Sequence, residues 1–96
     1  MYQQGITTVQ IFGKEYPIVS DQNPEYIRRL ADFVDGEMNK IAAETESAPV
    51  GRIAVLACLN IADDLIRAKD EKEKFIRIVE GRISNVIKMV EKKLKV

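Results

Sequence analysis

The chain has 96 residues, with no His, no Trp, a single Cys (Cys58), and fifteen basic residues balanced by fifteen acidic ones. Without His there is no Ser-His-Asp or Cys-His catalytic set and no Cys/His zinc cage, and a lone Cys cannot close an intramolecular disulfide. The longest apolar run, Ile53 to Leu59, is far short of the roughly 18 residues of a membrane span, and Met1-Tyr2-Gln3-Gln4 is not a basic segment leading into an apolar one. The expectation is a soluble, cytoplasmic protein without a signal peptide.

Zero net charge conceals a division. Residues 1–65 hold five Lys/Arg against ten Asp/Glu, a net of −5, and residues 66–96 hold ten against five, a net of +5. Either the two regions have different neighbours, or solvated faces have drifted in composition.

Residues 1–5 read as a disordered tail. Thr7 to Phe12 is rich in β-branched and aromatic residues and alternates Val9/Ile11 against Gln10/Phe12, a strand pattern. Gly13-Lys14 is a turn signal, and Glu15-Tyr16-Pro17-Ile18-Val19 a second strand, giving a hairpin over about 7–19. Pro17 cannot donate to a ladder, so this strand lies at a sheet edge or its pairing stops there. A lone hairpin is marginal in water and must pack on something or pair with another chain.

Asn23-Pro24 opens a helix over about 24–44, with Asn23 as N-cap, Pro24 at the first helical position and Glu25 in the first turn. At 100° per residue, Tyr26, Ile27, Leu30, Ala31, Phe33, Val34, Met38, Ile41 and Ala42 share one half of the cylinder, while Arg28, Arg29, Asp32, Asp35, Asn39 and Lys40 take the other. Gly36 also falls on the polar side. Residues 45–51 form a loop.

From residue 52 to 96 the pattern is one long helix. Ile53 to Ala62 is apolar nearly all round, so this stretch should be buried on most sides, its start (52–66) in the head. One hairpin and one helix are thin cover, so a second copy of the chain is expected to supply the rest. Lys69 to Lys74 are six consecutive charged residues. Lys69–Glu73, Asp70–Lys74 and Glu73–Arg77 are opposite in sign at i,i+4, which favours helix over loop through this run. Residues 67–96 then form a coiled-coil tail with two adjacent seams: Ile76, Ile83, Ile87, Val90 and Leu94, beside Phe75, Val79, Val86 and Met89. A two-stranded coiled coil needs one seam, so two argue for a four-helix assembly. The predicted self-association surface is Val55, Leu59, Asn60, Ala62, Ile66, Ile76, Val79, Ile83, Val86, Ile87, Val90 and Leu94. A helix running from Gly51 to Val96 would be about 70 Å long, beyond what one chain of this size can cover. The fold class is therefore α+β, a small hairpin-and-helix head (1–51) followed by a long C-terminal coiled-coil helix (52–96), assembled as dimer or tetramer.

Single residues divide between structural and functional readings. Cys58, within an apolar helix, reads as a small buried hydrophobe. Gly13-Lys14 lacks the other glycines and the Ser/Thr of a phosphate loop and reads as a turn. Asn60, Asp63, Asp64 and Arg67 lie within about 100° of arc, as a wet stripe or a partner contact. Asn60 could also fix register across a dimer. Glu80 and Arg82 interrupt the seams, either snorkelling at their edge or specifying an antiparallel register. Lys88, Lys92, Lys93 and Lys95 lack interleaved aromatics, so a solvated face is favoured over a nucleic-acid or membrane contact. No catalytic, cofactor or metal residues emerge.

The strand end Val9-Gln10-Ile11-Phe12-Gly13-Lys14, the helix Leu30-Ala31-Asp32-Phe33-Val34-Asp35 and the run from Ile53 to Leu65 (IAVLACLNIADDL) occur in that order. Together they strongly resemble the ZapA family of bacterial cell-division proteins over about residues 7–68, and the tail is similar in kind. The resemblance implies an αβ head, head dimers, antiparallel association of the long helices into a tetramer, and bundling and cross-linking of FtsZ filaments at the mid-cell division ring, with no enzymatic activity and no cofactor. The family's FtsZ-contacting positions are surface charges without a tight motif and do not transfer residue by residue. FtsZ-type partners being acidic, the head's basic residues Lys14, Arg28, Arg29, Lys40 and Arg52 are the candidate contacts. The alternatives are a coiled-coil adaptor for another cytoskeletal partner and a basic-tailed nucleic-acid-binding protein.

Overall fold

The computed structural model describes residues 4–94, and side chains through residue 93. Residues 1–3 of the expected tail, and the side chain of Leu94 in the expected interface, lie outside the described part. The elements are β1 (Gly5–Ile11), β2 (Lys14–Ser20), α1 (Pro24–Glu44) and α2 (Val50–Leu94). The chain divides into two compact units, residues 1–61 and 62–96.

The hairpin turn falls one residue earlier than expected. Phe12 and Gly13 form it, with φ of 51° and 78°, and Ile11 pairs with Lys14 across it. Two successive positive φ values give the turn the twist of the flanking strands, so the pair ending in Gly is selected over Gly13-Lys14. Phe12 is thus a turn residue rather than the end of a strand, and β1 takes Gly5 from the expected tail.

Pairing does not stop at Pro17. It sits opposite Thr8, and the ladder continues through Thr7–Ile18 and Ile6–Val19 to Gly5–Ser20. After a two-residue turn the flanking pair exchanges both hydrogen bonds, and bonded and non-bonded pairs then alternate. Counting from Ile11–Lys14, Thr8–Pro17 is a non-bonded pair. The N–H that Pro17 lacks would have pointed away from β1, so the ladder loses nothing.

α1 has the predicted limits. Asn23 Oδ1 accepts the Glu25 N–H at 2.9 Å, Pro24 fills the first position, and at the other end the Thr45 N–H and Oγ1–H both donate to the Ile41 carbonyl, at 3.0 and 2.8 Å. Capping of this kind satisfies groups that the helix itself leaves open. α1 lies over β1 rather than β2. Val9, Ile27 and Ala31 form one buried cluster, flanked by Ile11 and Ile18. Met38, Ile41, Ile53 and Ala57 form the other, joining the C-terminal half of α1 to the first turns of α2, with Phe12 packed against it.

α2 starts two residues before the expected position, the Ile53 N–H donating to the Pro49 carbonyl at 3.1 Å. It runs without a break through the charged segment 69–74. The expected i,i+4 pairs do not hold it together. Among the described residues the ion pair on this helix is Asp63–Arg67, at 3.2 Å, and Arg77 Nε reaches the Glu73 backbone carbonyl instead of its carboxylate. Exposed pairs gain little in water and cost side-chain freedom, so their absence is no loss. Cys58 is exposed rather than buried, because within the chain only the Ile53/Ala57 side of this segment is covered.

Candidate interaction surfaces

Among the described residues one hydrogen bond fastens the hairpin to α1. Asp35 Oδ1 accepts the Phe12 backbone N–H at 2.7 Å, partly buried, across 23 residues of sequence. A carboxylate acceptor makes this a charge-assisted bond, roughly twice as strong as a neutral one. It fixes the turn while the Phe12 ring rests on the Met38/Ile41 cluster. The sequence pattern placed Asp35 merely on the polar half of α1. The residue pair joins two segments that the family resemblance quotes separately.

α1 presents two unlike flanks. Along β1, Arg28, Asp32, Asp35 and Asn39 border a polar groove whose other wall is Thr8 and Gln10. On the opposite side Tyr26, Leu30 and Phe33 remain 45–55% exposed, and a wholly apolar hollow runs from Leu30 and Val34 to Ile18. The sequence grouped these three with the buried half. A two-stranded sheet is too narrow to cover a 180° arc, and only Ile27, Ala31, Met38 and Ile41, at its centre, are buried. The breadth of the arc was the available signal.

The five basic head residues Lys14, Arg28, Arg29, Lys40 and Arg52 are all exposed. They do not form one patch. Arg28 lines the polar groove, whereas Arg29 shares a shallow hollow with Tyr26 and Phe33. Adjacent residues point about 100° apart on a helix, and Lys40, three turns on, lies on the side of Arg29.

The apolar positions of α2 are uncovered. In the first unit Val55, Leu59 and Asn60 are exposed. In the second, Ala62, Ile66, Ile76, Ile83, Val86, Ile87 and Val90 are exposed and Val79 is half-buried. Phe75 and Met89 of the second predicted seam are exposed as well, and so are Leu65 and Ile78, which the sequence pattern did not assign to a seam. Among the described residues no group of three or more His, Cys, Asp or Glu side chains is placed to hold a metal ion, and no helix is long and apolar enough to cross a membrane.

A hairpin-and-helix head continued by a long helix with an unburied apolar arc defines a class of self-associating, coiled-coil-forming proteins. The family model "Cell division protein ZapA" matches residues 7–95. A ZapA of Bacillus anthracis is 38% identical over 66 residues, covering 69% of this chain and 74% of that protein. One from Geobacillus sp. (strain WCH70) is 32% identical over 75 residues, covering 78% and 86%. Among solved structures, a conserved Pseudomonas aeruginosa PAO1 protein of unknown function superposes with TM-score 0.74 at 30% identity, covering 91% of this chain and 97% of that one. A mutant ZapA dimer from Geobacillus stearothermophilus gives 0.64 at 28%, covering 81% and 91%. This chain belongs to the ZapA family of cell division proteins.

Proposed function

We propose that this chain binds FtsZ and bundles and cross-links its filaments, stabilising the division ring at mid-cell from the cytoplasm, and that it does so without catalysis. The observation that carries the reading is the apolar arc of the second unit. Ile76, Ile83, Val86, Ile87 and Val90 are 42–57% exposed along one side of α2. Each would contribute about 1.5–3 kcal/mol if fully buried, so a solitary tail forgoes a large association energy. Two adjacent seams suit four helices rather than two, which joins two head dimers in one tetramer. Linked weak sites then gain about 10²–10⁴ in avidity where both can engage. Lys14, Arg28, Arg29, Lys40 and Arg52 are the proposed contacts to an acidic partner.

Co-sedimentation with GTP-assembled FtsZ tests the reading. The wild-type chain is expected to pellet with filaments and to thicken them into bundles. Changing Lys14, Arg29 and Arg52 together to Glu is expected to abolish pelleting and to leave the tetramer intact. Added salt should weaken wild-type binding, since exposed charges are screened over about 8–10 Å at 0.1–0.15 M. Salt-insensitive binding by the triple variant would remove these residues from the contact.

A further inference from the structure

The first turns of α2 are covered by their own chain on one side. Ile53 and Ala57, 4% and 1% exposed, pack against Met38 and Ile41 of α1. At about 100° per residue these two fall within about 40° of each other around the helix. Val55, Cys58 and Leu59 lie about 120–180° from the middle of that side, and all three are exposed, Val55 and Leu59 by 60% and 62%. The bare strip thus faces away from the Met38/Ile41 cluster. A second helix laid along it leaves both heads outermost, where they do not collide.

The sequence carries the strip on in heptad steps. With Val55 at position a and Cys58 at position d, the next a and d positions are Ala62 and Leu65, both exposed, then Lys69 and Lys72, and then only Ile and Val from Ile76 to Val90. A parallel pair in register sets each a and d residue against its own copy, so an uncharged strip matches itself. We infer that two copies of this chain pair with their α2 helices parallel and in register, Val55, Cys58, Ala62 and Leu65 each facing its own copy. Lys69 and Lys72 set ammonium against ammonium and open a gap, beyond which the pairing resumes at Ile76. Phe75, Ile87 and Met89 flank this line, are exposed, and stay open to a second pair. The inference rests on the self-association in the proposed function and is independent of FtsZ.

Charge selects a second copy over the acidic partner. No Lys or Arg lies between Arg52 and Arg67, and the charges in that interval are Asp63 and Asp64, which repel an acidic segment. Frame continuity selects the parallel direction. An antiparallel pair centred on the strip would carry residues beyond 70 past Val50, where the other α2 begins, and leave Ile76 to Val90 unmatched. Centred on that later run, it would leave Val55 and Leu59 bare. One heptad frame covers both only when the helices run the same way.

Thiol cross-linking with a short bis-maleimide tests the inference, with sedimentation equilibrium at the same protein concentration. The wild-type chain carries its own probe in Cys58, and no variant need fold. It is expected to become mostly covalent dimer. Leu65→Cys in a Cys58→Ser chain should cross-link as well, because residue 65 also faces its copy. An antiparallel pair matched on the same strip would hold residue 65 about 15 Å from its copy along the axis, and only position 58 would react. Asn60→Cys in the Cys58→Ser chain is the control. Asn60 lies about 160° round the helix from Cys58 and should stay uncoupled. Cross-linking at 58 and 65 but not at 60 supports the pair. Cross-linking at 58 alone, or equally at all three positions, overturns it. No cross-linking in a chain that sediments as a dimer overturns the pair and leaves self-association standing. A chain that sediments as a monomer overturns both. Cross-linking of Cys58 should be unchanged when FtsZ filaments are added, and its loss would assign the strip to FtsZ and overturn the inference.

Discussion

Asp35→Ala probes the bond that holds the hairpin to α1. The Phe12 N–H donates to Asp35 Oδ1 at 2.7 Å in a half-buried setting, and Phe12 is held there at φ 51°. A hydrogen bond to a charged group contributes about 1.5–3 kcal/mol net, and partial access of water to the stranded N–H puts the expected loss at the lower end, ~1.5–2 kcal/mol. The left-handed backbone of a non-Gly residue adds about 1–2 kcal/mol of strain that the bond helps to offset. Without it the turn is expected to loosen and the Phe12 ring to lose its seat on the Met38/Ile41 cluster. Asp35→Asn keeps an acceptor oxygen but not the charge, so it should cost roughly half as much. Urea unfolding followed by circular dichroism measures both, at one fixed protomer concentration because self-association raises apparent stability. A destabilisation of Asp35→Ala below about 0.5 kcal/mol, the range of an ordinary surface substitution, would refute the reasoning.

Gly13→Ala isolates the turn's backbone. No atom lies within 4 Å of the added Cβ, so the cost comes from φ of +78° alone, about 1–2 kcal/mol in the same urea assay, and Gly13→Asn should cost less. Ile53 is 4% exposed between α1 and α2, and Ile53→Ala should cost about 2–5 kcal/mol, read as a lowered melting temperature. Ile83→Glu puts a carboxylate in the proposed tail interface. Sedimentation equilibrium should show loss of the tetramer with head dimers retained, and intact tetramers would rule out that seam. Cys58 is exposed in the single chain, so its thiol should react with a labelling reagent more slowly as protein concentration rises and self-association covers the Val55/Leu59 side; a rate independent of concentration would place that face outside the interface.

The limits of α1 and the unbroken course of α2 through 69–74 were legible in the sequence because their causes are local. A cap bonds two residues on, a helical hydrogen bond spans four, and a proline or its absence acts at its own position. The order of strand, amphipathic helix and apolar run also sufficed to place the chain among ZapA-like proteins. Three features depended on residues distant in sequence and were decided by the tertiary structure. The turn settled on Phe12-Gly13 because twist and the Asp35 carboxylate, 23 residues away, act on the same peptide. The covered part of the α1 arc is set by the width of a two-stranded sheet, so Ile27 and Ala31 are buried while Phe33, on the same apolar half, is exposed. Pro17 was read as a possible end of pairing, yet its effect depends on which side of β2 its missing N–H faces. That parity is fixed only once the turn has set the register.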